Sequence, residues 1–110
     1  LRVPVANGSI VDMTVRFASD ISAERINALM ETAAAGPYAD ILEYVDDPIV
    51  SSDVSSSPHS SIFDAKATLV LGDRQAKIIA WFDNSWGYAN RLVDLIEYCA
   101  RMDGLLGGER

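Results

Sequence analysis

The chain has 110 residues, 49% of them hydrophobic and 23% charged, with a formal net charge of −7. This length fits one small domain or a piece of a larger protein, and the composition is that of a folded chain rather than a disordered one. The acidic balance leaves no basic stripe for phosphates and argues against nucleic acid as a main partner. The single cysteine, Cys99, excludes an internal disulfide and points to a reducing compartment. No apolar run approaches the roughly 20 residues that would cross a bilayer, so no membrane partner is expected.

The chain opens on Leu1-Arg2-Val3-Pro4-Val5, which reads like the inside of a strand and has no initiator methionine. A fragment of a longer product is the expectation. Asn7-Gly8 is a turn signal. From Ser9 to Phe17 the pattern alternates, with Val11, Met13, Val15 and Phe17 on one face. Such alternation predicts a half-buried, antiparallel strand. Ser22 then reads as the N-cap of a helix whose apolar stripe is Ile26, Leu29, Met30 and Ala33. Gly36-Pro37 ends it, with glycine expected as a left-handed cap.

Ile41 to Val45 is a short apolar run closed by Asp46-Asp47-Pro48, and Ile49-Val50 reads as a further short strand. Ser51 to Ser61 is serine-rich and reads as a loop by composition. Ile62 to Leu71 alternates again, with Phe63, Ala65, Ala67, Leu69 and Leu71 on one face. Gly72-Asp73 is a hairpin turn, and Ala76 to Phe82 is the returning strand. The last element, from about Trp86 to Met102, is an amphipathic helix with Tyr88, Leu92, Leu95, Ile96 and Cys99 on one stripe. Gly104 caps it, and 104–110 forms a tail with a frayed end at Gly107 to Arg110. The order β-α-β-β-β-α with hairpin character predicts an α+β fold. The first helix already covers the few strands, so the stripe on the last helix has no partner within the chain.

Catalytic templates fit poorly. Cys99 lies on the apolar stripe of a helix, where a buried structural thiol is expected. His59 is the only histidine, and neighbouring serines along one strand point to opposite faces; a histidine bonded to serine or backbone is expected. No metal-ligand spacing occurs. Asp46-Asp47, next to proline, reads as a solvated turn.

Two polar residues stand apart. Arg2 sits among apolar neighbours, and its guanidinium calls for a carboxylate or a phosphate, through an internal salt bridge or a bound anion. Asn84 lies in Trp81-Phe82-Asp83-Asn84-Ser85-Trp86-Gly87-Tyr88-Ala89-Asn90-Arg91, a stretch holding both tryptophans. Its amide pairs a donor with an acceptor and suits another amide such as a carboxamide; alternatively it caps the last helix. The stretch as a whole fits a shaped surface or a plain strand-to-helix turn with aromatic packing.

Four motifs in order make the chain recognisable: Arg2-Val3-Pro4 with Asn7 and Ser9 to Thr14, Val50 to Asp53, His59 to Ala65, and Trp81 to Arg91. Together they span nearly all of the chain up to Asp103. They resemble the C-terminal part of phosphorylating glyceraldehyde-3-phosphate dehydrogenase, whose signature reads Trp-Tyr-Asp-Asn-Glu-Trp-Gly-Tyr-Ser-Asn-Arg. The resemblance implies a two-domain, NAD- or NADP-dependent enzyme that oxidises glyceraldehyde 3-phosphate with inorganic phosphate to 1,3-bisphosphoglycerate. It implies a cytoplasmic homotetramer.

Within this chain the resemblance assigns 1–83 to the catalytic domain and 84–103 to a helix that packs on a dinucleotide-binding domain. By the same resemblance Arg2 binds the substrate phosphate, Asn84 orients the nicotinamide carboxamide, and Tyr88 packs beside the nicotinamide. The family's catalytic cysteine and histidine match neither Cys99 nor His59, so the chain alone is expected to be inactive. The resemblance also shifts Ser51 to Ser61 from loop toward ordered strand at a subunit interface. Among the departures from the signature, Phe82 replaces a tyrosine and Ser85 a glutamate. A non-catalytic, truncated interaction module of the same family and an erythrose-4-phosphate dehydrogenase relative are the competing expectations.

Overall fold

The computed structural model describes residues 1–106. The expected frayed end at 107–110 lies outside the described residues. The elements in chain order are β1 (Ser9–Arg16), α1 (Ala23–Ala35), β2 (Leu42–Val45), β3 (Ser61–Asp64), β4 (Leu69–Leu71), β5 (Gln75–Phe82) and α2 (Trp86–Met102). The class is α+β, as expected, with five strands where the order β-α-β-β-β-α has four.

The sheet runs β1-β5-β3-β2, and β4 also pairs with β5. β1 is antiparallel to β5 along its whole length, from Ser9 opposite Phe82 to Arg16 opposite Gln75. On its other edge β5 meets β3 at Trp81 and Ala80 and meets β4 at Gln75 to Lys77. β2 lies parallel to β3, so the sheet is mixed.

The extra strand comes from a break in the Ile62–Leu71 run. The Asp64 carboxylate accepts a hydrogen bond from the backbone N–H of Ala67 at 3.2 Å, which winds Ala65–Ala67 into a 3-10 turn. A short side-chain acceptor competes here with the strand ladder. One face therefore does not persist along the run: Phe63 and Ala65 are buried, whereas Leu69 and Leu71 are exposed.

Between β2 and β3 neither expected strand forms. Ile49-Val50 is irregular, and Ser51–Asp53 is a 3-10 turn. Asp53 accepts from the N–H of Val50 at 2.7 Å, and Ser56 adopts left-handed backbone with φ 63°. Side chains thus capture the N–H groups that a ladder needs. The compositional reading of 51–61 as a loop is the correct one up to Ser61, where β3 begins.

α1 starts as predicted, with the Ser22 hydroxyl accepting from the N–H of Arg25 at 3.2 Å. Its end differs: Gly36 has φ −121°, so it is not a left-handed cap, and the N–H groups of Gly36 and Tyr38 both donate to the Ala33 carbonyl. The hairpin turn forms at Gly72, with φ 62°, and Gly104 ends α2 with φ 70°.

The core is small. Ile26, Phe63, Ala65 and Ala76 are buried together, edged by Phe17, Ile21, Met30, Leu42, Tyr44, Val70 and Ile78. Tyr44 stacks on Phe63 with ring centroids 5.8 Å apart. α1 covers the sheet only around this cluster. Leu29, placed by pattern on the apolar stripe, is exposed, and so are Val11 and Met13 on β1, which is not half-buried. α2 is formed as predicted, and Tyr88, Leu92, Leu95 and Ile96 on its stripe are all exposed.

Candidate functional site

The chain leaves the sheet at the end of β5, where Asp83 is only 4% exposed. A buried carboxylate is tolerable only when its lone pairs are filled, and four donors fill them. Oδ2 accepts from the Asn7 side-chain amide and the Ser56 N–H, each at 2.8 Å. Oδ1 accepts from the N–H groups of Ser85 and Trp86, each at 2.9 Å. The last two are unpaired donors at the start of α2, where the helix dipole also favours an anion. The backbone N–H of Trp86, followed by that of Ser56, holds the Asp83 carboxyl well down, at about 2; burial pulls the other way, and Ser85 and Asn7 add to the lowering.

Asp83 therefore fills the capping role that the sequence offered to Asn84. Ser85 is the N-cap by position, its side chain makes no capping bond, and Asn84 takes no part in the cap. Asn84 is exposed and lines a hollow of about 910 Å³ together with Arg2, Asn7, Asp12, Ser51 and Trp81. The structure thus brings Arg2 and Asn84, far apart in sequence, to one concavity. Tyr88 is on α2, 66% exposed, and does not line it.

The charge balance of the hollow is simple. Asp12 is tied to Lys77 at 2.8 Å. Among the described residues Arg2 makes no ion pair, so the internal salt bridge open to it in sequence does not form. Its guanidinium is the side-chain charge of the hollow that no carboxylate compensates among the described residues. The Trp81 indole N–H donates to Asp64 Oδ2 at 3.1 Å, which fixes one wall.

The other sequence candidates lie elsewhere. His59 Nδ1 is 3.4 Å from the Ser57 hydroxyl and 3.3 Å from a Glu43 carboxylate oxygen, and its backbone N–H donates to the Ser57 hydroxyl. The bond to serine is the one its context predicts; the contact with Glu43, which ties β2 to the loop, is not. Cys99 is exposed rather than buried, because no element covers that stripe of α2. Among the described residues no cluster of three or more His, Cys, Asp or Glu could hold a metal, and no helix is long and apolar enough to cross a membrane.

Sequence reasoning missed Asn7, Asp83 and Gly87. Asp83 carried a signal, since an aspartate just ahead of a helix can accept from backbone N–H groups two and three residues on. Gly87 has no such cue. A Cβ there would lie 2.8 Å from the His59 carbonyl oxygen, so only glycine lets α2 approach this loop.

Residues 1–84 match the family model described as glyceraldehyde 3-phosphate dehydrogenase, C-terminal domain. A glyceraldehyde-3-phosphate dehydrogenase of Mycolicibacterium smegmatis is 54% identical over 96 residues, which covers 87% of this chain and 28% of that protein. Those of Sordaria macrospora and Cryphonectria parasitica are 48% and 45% identical over 103 and 104 residues, each covering 94% of this chain and 30% and 31% of the relative. The chain spans less than a third of the length of these curated relatives.

Proposed function

The chain belongs to the glyceraldehyde-3-phosphate dehydrogenase family, and from that premise we propose that it is the substrate- and cofactor-positioning C-terminal segment of an NAD- or NADP-dependent enzyme. The reaction is the oxidation of glyceraldehyde 3-phosphate with inorganic phosphate to 1,3-bisphosphoglycerate. The single observation that carries this reading is that Arg2 and Asn84 line one hollow.

An arginine with no internal carboxylate partner suits a phosphate, which it can grip through two parallel N–H bonds. The Asn84 amide is free of capping duty and offers a donor and an acceptor to a carboxamide. The residues present therefore fit a nicotinamide at this end of the hollow. When bound, that group supplies hydride acceptance. Tyr88 lies one turn into α2, on the face that the dinucleotide-binding domain would cover. The nucleophile and the dinucleotide cradle are supplied by parts of the enzyme beyond these 110 residues, and the 110-residue chain by itself is expected to show no turnover. The whole enzyme is read as a cytoplasmic homotetramer.

The test uses the full-length enzyme. Arg2→Ala should raise KM for the aldehyde substrate about 10- to 100-fold, the value of a charge-assisted hydrogen bond or two, and leave KM for the cofactor near the parent value. Asn84→Ala should do the reverse. Unchanged constants in both variants would refute the assignment. The exposed stripe of α2 favours a second reading, a non-catalytic module that docks through that stripe. Turnover of the full-length protein decides between the two.

A further inference from the structure

We infer that Asp83 is a positioning residue whose two carboxylate oxygens hold the two sides of the hollow in register, one oxygen the arm that carries Arg2 and the other the turn that carries Asn84; this rests on the reading of that hollow given above.

The division is literal in the geometry. Oδ2 takes the Asn7 amide and the Ser56 N–H. Asn7 lies in the segment ahead of β1, five residues after Arg2, and its amide also reaches the Ser55 hydroxyl at 3.3 Å. Oδ1 takes the N–H groups of Ser85 and Trp86, which follow Asn84 directly and open α2. A rigid planar group less than one turn across thus joins a segment at one end of the chain to a turn near the other.

Two further observations fit a joint rather than an ordinary cap. Ser56 holds a left-handed backbone, φ 63°, that a non-glycine residue adopts only at a cost, and in that state its N–H reaches Oδ2. Gly8, with φ 96°, packs so closely that an added Cβ would meet the Ser51 Cβ and carbonyl oxygen at 3.1 Å and the Val54 side chain at 3.2 Å. The arm is therefore pressed against the loop that Ser56 belongs to, and both are referred to Asp83. Capping α2 alone would need neither feature.

Asp83→Asn replaces one acceptor oxygen with an NH2 group. The amide can serve one pair of donors and must face the other with N–H against N–H, so the two sides of the hollow lose their common reference. In the full-length enzyme, KM for the aldehyde substrate and KM for the cofactor should each rise about tenfold, with kcat less affected, from the loss of hydrogen bonds to a charged group. Asn7→Ala cuts only the arm, so KM for the aldehyde should rise while KM for the cofactor stays within about twofold of the parent. A purely structural Asp83 would lower stability and leave both constants unchanged at temperatures where the variant is folded.

The inference is overturned if folded Asp83→Asn leaves both constants unchanged, or moves only one. If Asp83→Asn does not fold, Asn7→Ala decides, and an unchanged aldehyde KM overturns it. Arg2→Ala and Asn84→Ala serve as controls. If they shift their constants while Asp83→Asn and Asn7→Ala do not, only the joint fails. If the controls also have no effect, the reading of the hollow fails and the joint with it.

Discussion

Replacing Gly87 by alanine sets two effects of known size against each other. Inside a helix alanine is favoured over glycine by about 1 kcal/mol. Here the new Cβ would sit 2.8 Å from the His59 carbonyl oxygen and 3.6 Å from the His59 carbonyl carbon and Ser60 Cα. Relief needs a shift of about half an ångström, and neither side is free to give. The start of α2 is fixed by 2.9 Å bonds from Ser85 and Trp86 to Asp83 and by the Gly87 N–H on the Asp83 carbonyl at 3.2 Å. The opposing loop is fixed by the N–H groups of Ser60 and Ser61 on the Ile41 carbonyl at 3.0 and 3.1 Å. Forced insertion into close packing costs about 1–3 kcal/mol, and stretching one cap bond adds about 1 kcal/mol. The net expectation is a loss of about 1–3 kcal/mol after the helix gain is subtracted. Urea denaturation of the full-length protein, followed by tryptophan fluorescence, measures it. An alanine variant as stable as the parent, or more so, would show that propensity outweighs the contact and that α2 does not bear on the His59 loop.

The Asp83 carboxyl has an ordinary value of 3.8 and a folded value of about 2; since the folded value is the lower, its stabilisation is complete above 3.8 and lost as pH falls through about 2. Denaturation midpoints should therefore fall more steeply in the parent than in Asp83→Asn over that window, and parallel slopes would count against the four-donor site. Trp81→Phe removes the indole N–H from Asp64 Oδ2 and should cost about 1.5–3 kcal/mol by denaturation, since the bond is to a buried carboxylate; an unchanged midpoint would exclude the bond. Ser85→Glu restores the signature residue at an exposed position whose side chain makes no capping bond; a carboxylate near a helix start should raise stability by about 0.3–1 kcal/mol at low salt, and a loss of that size would mean that the serine packs against something.

Elements whose cause is local could be read from the sequence. The Ser22 cap, the stripe on α2 and the hairpin at Gly72 each depend on residues within one or two turns of each other. The misreadings have non-local or competing causes. The alternation through Ile62–Leu71 is real, but one side chain, Asp64, turns the backbone at Ala67. Leu29 fits the periodic stripe of α1, yet it is exposed where Ile26, Met30 and Ala33 of the same stripe are at least partly covered. Arg2 and Asn84 could be singled out by residue type, whereas their meeting across a hollow depends on the full antiparallel register of β1 on β5. The joint at Asp83 was the least legible feature, since its partners lie 76 and 27 residues away as well as next to it.

Among the described residues the bonds that tie α2 to the rest of the fold gather at its first two turns, and this divides its labour. Its first two turns are anchored by the Asp83 bonds, by the close approach of Gly87 to His59, and by Arg91, whose guanidinium donates to the Asp40 carbonyl at 3.1 Å and the Ser60 hydroxyl at 3.2 Å. Beyond Arg91 the apolar side chains Leu95, Ile96, Tyr98 and Met102 are all exposed. An uncovered helix of this length is marginal by itself in water, so the far half has less to hold it. Asn84 and Tyr88 lie at the anchored end, so their placement relative to Arg2 is set by this chain's own bonds and does not depend on the far half of the helix.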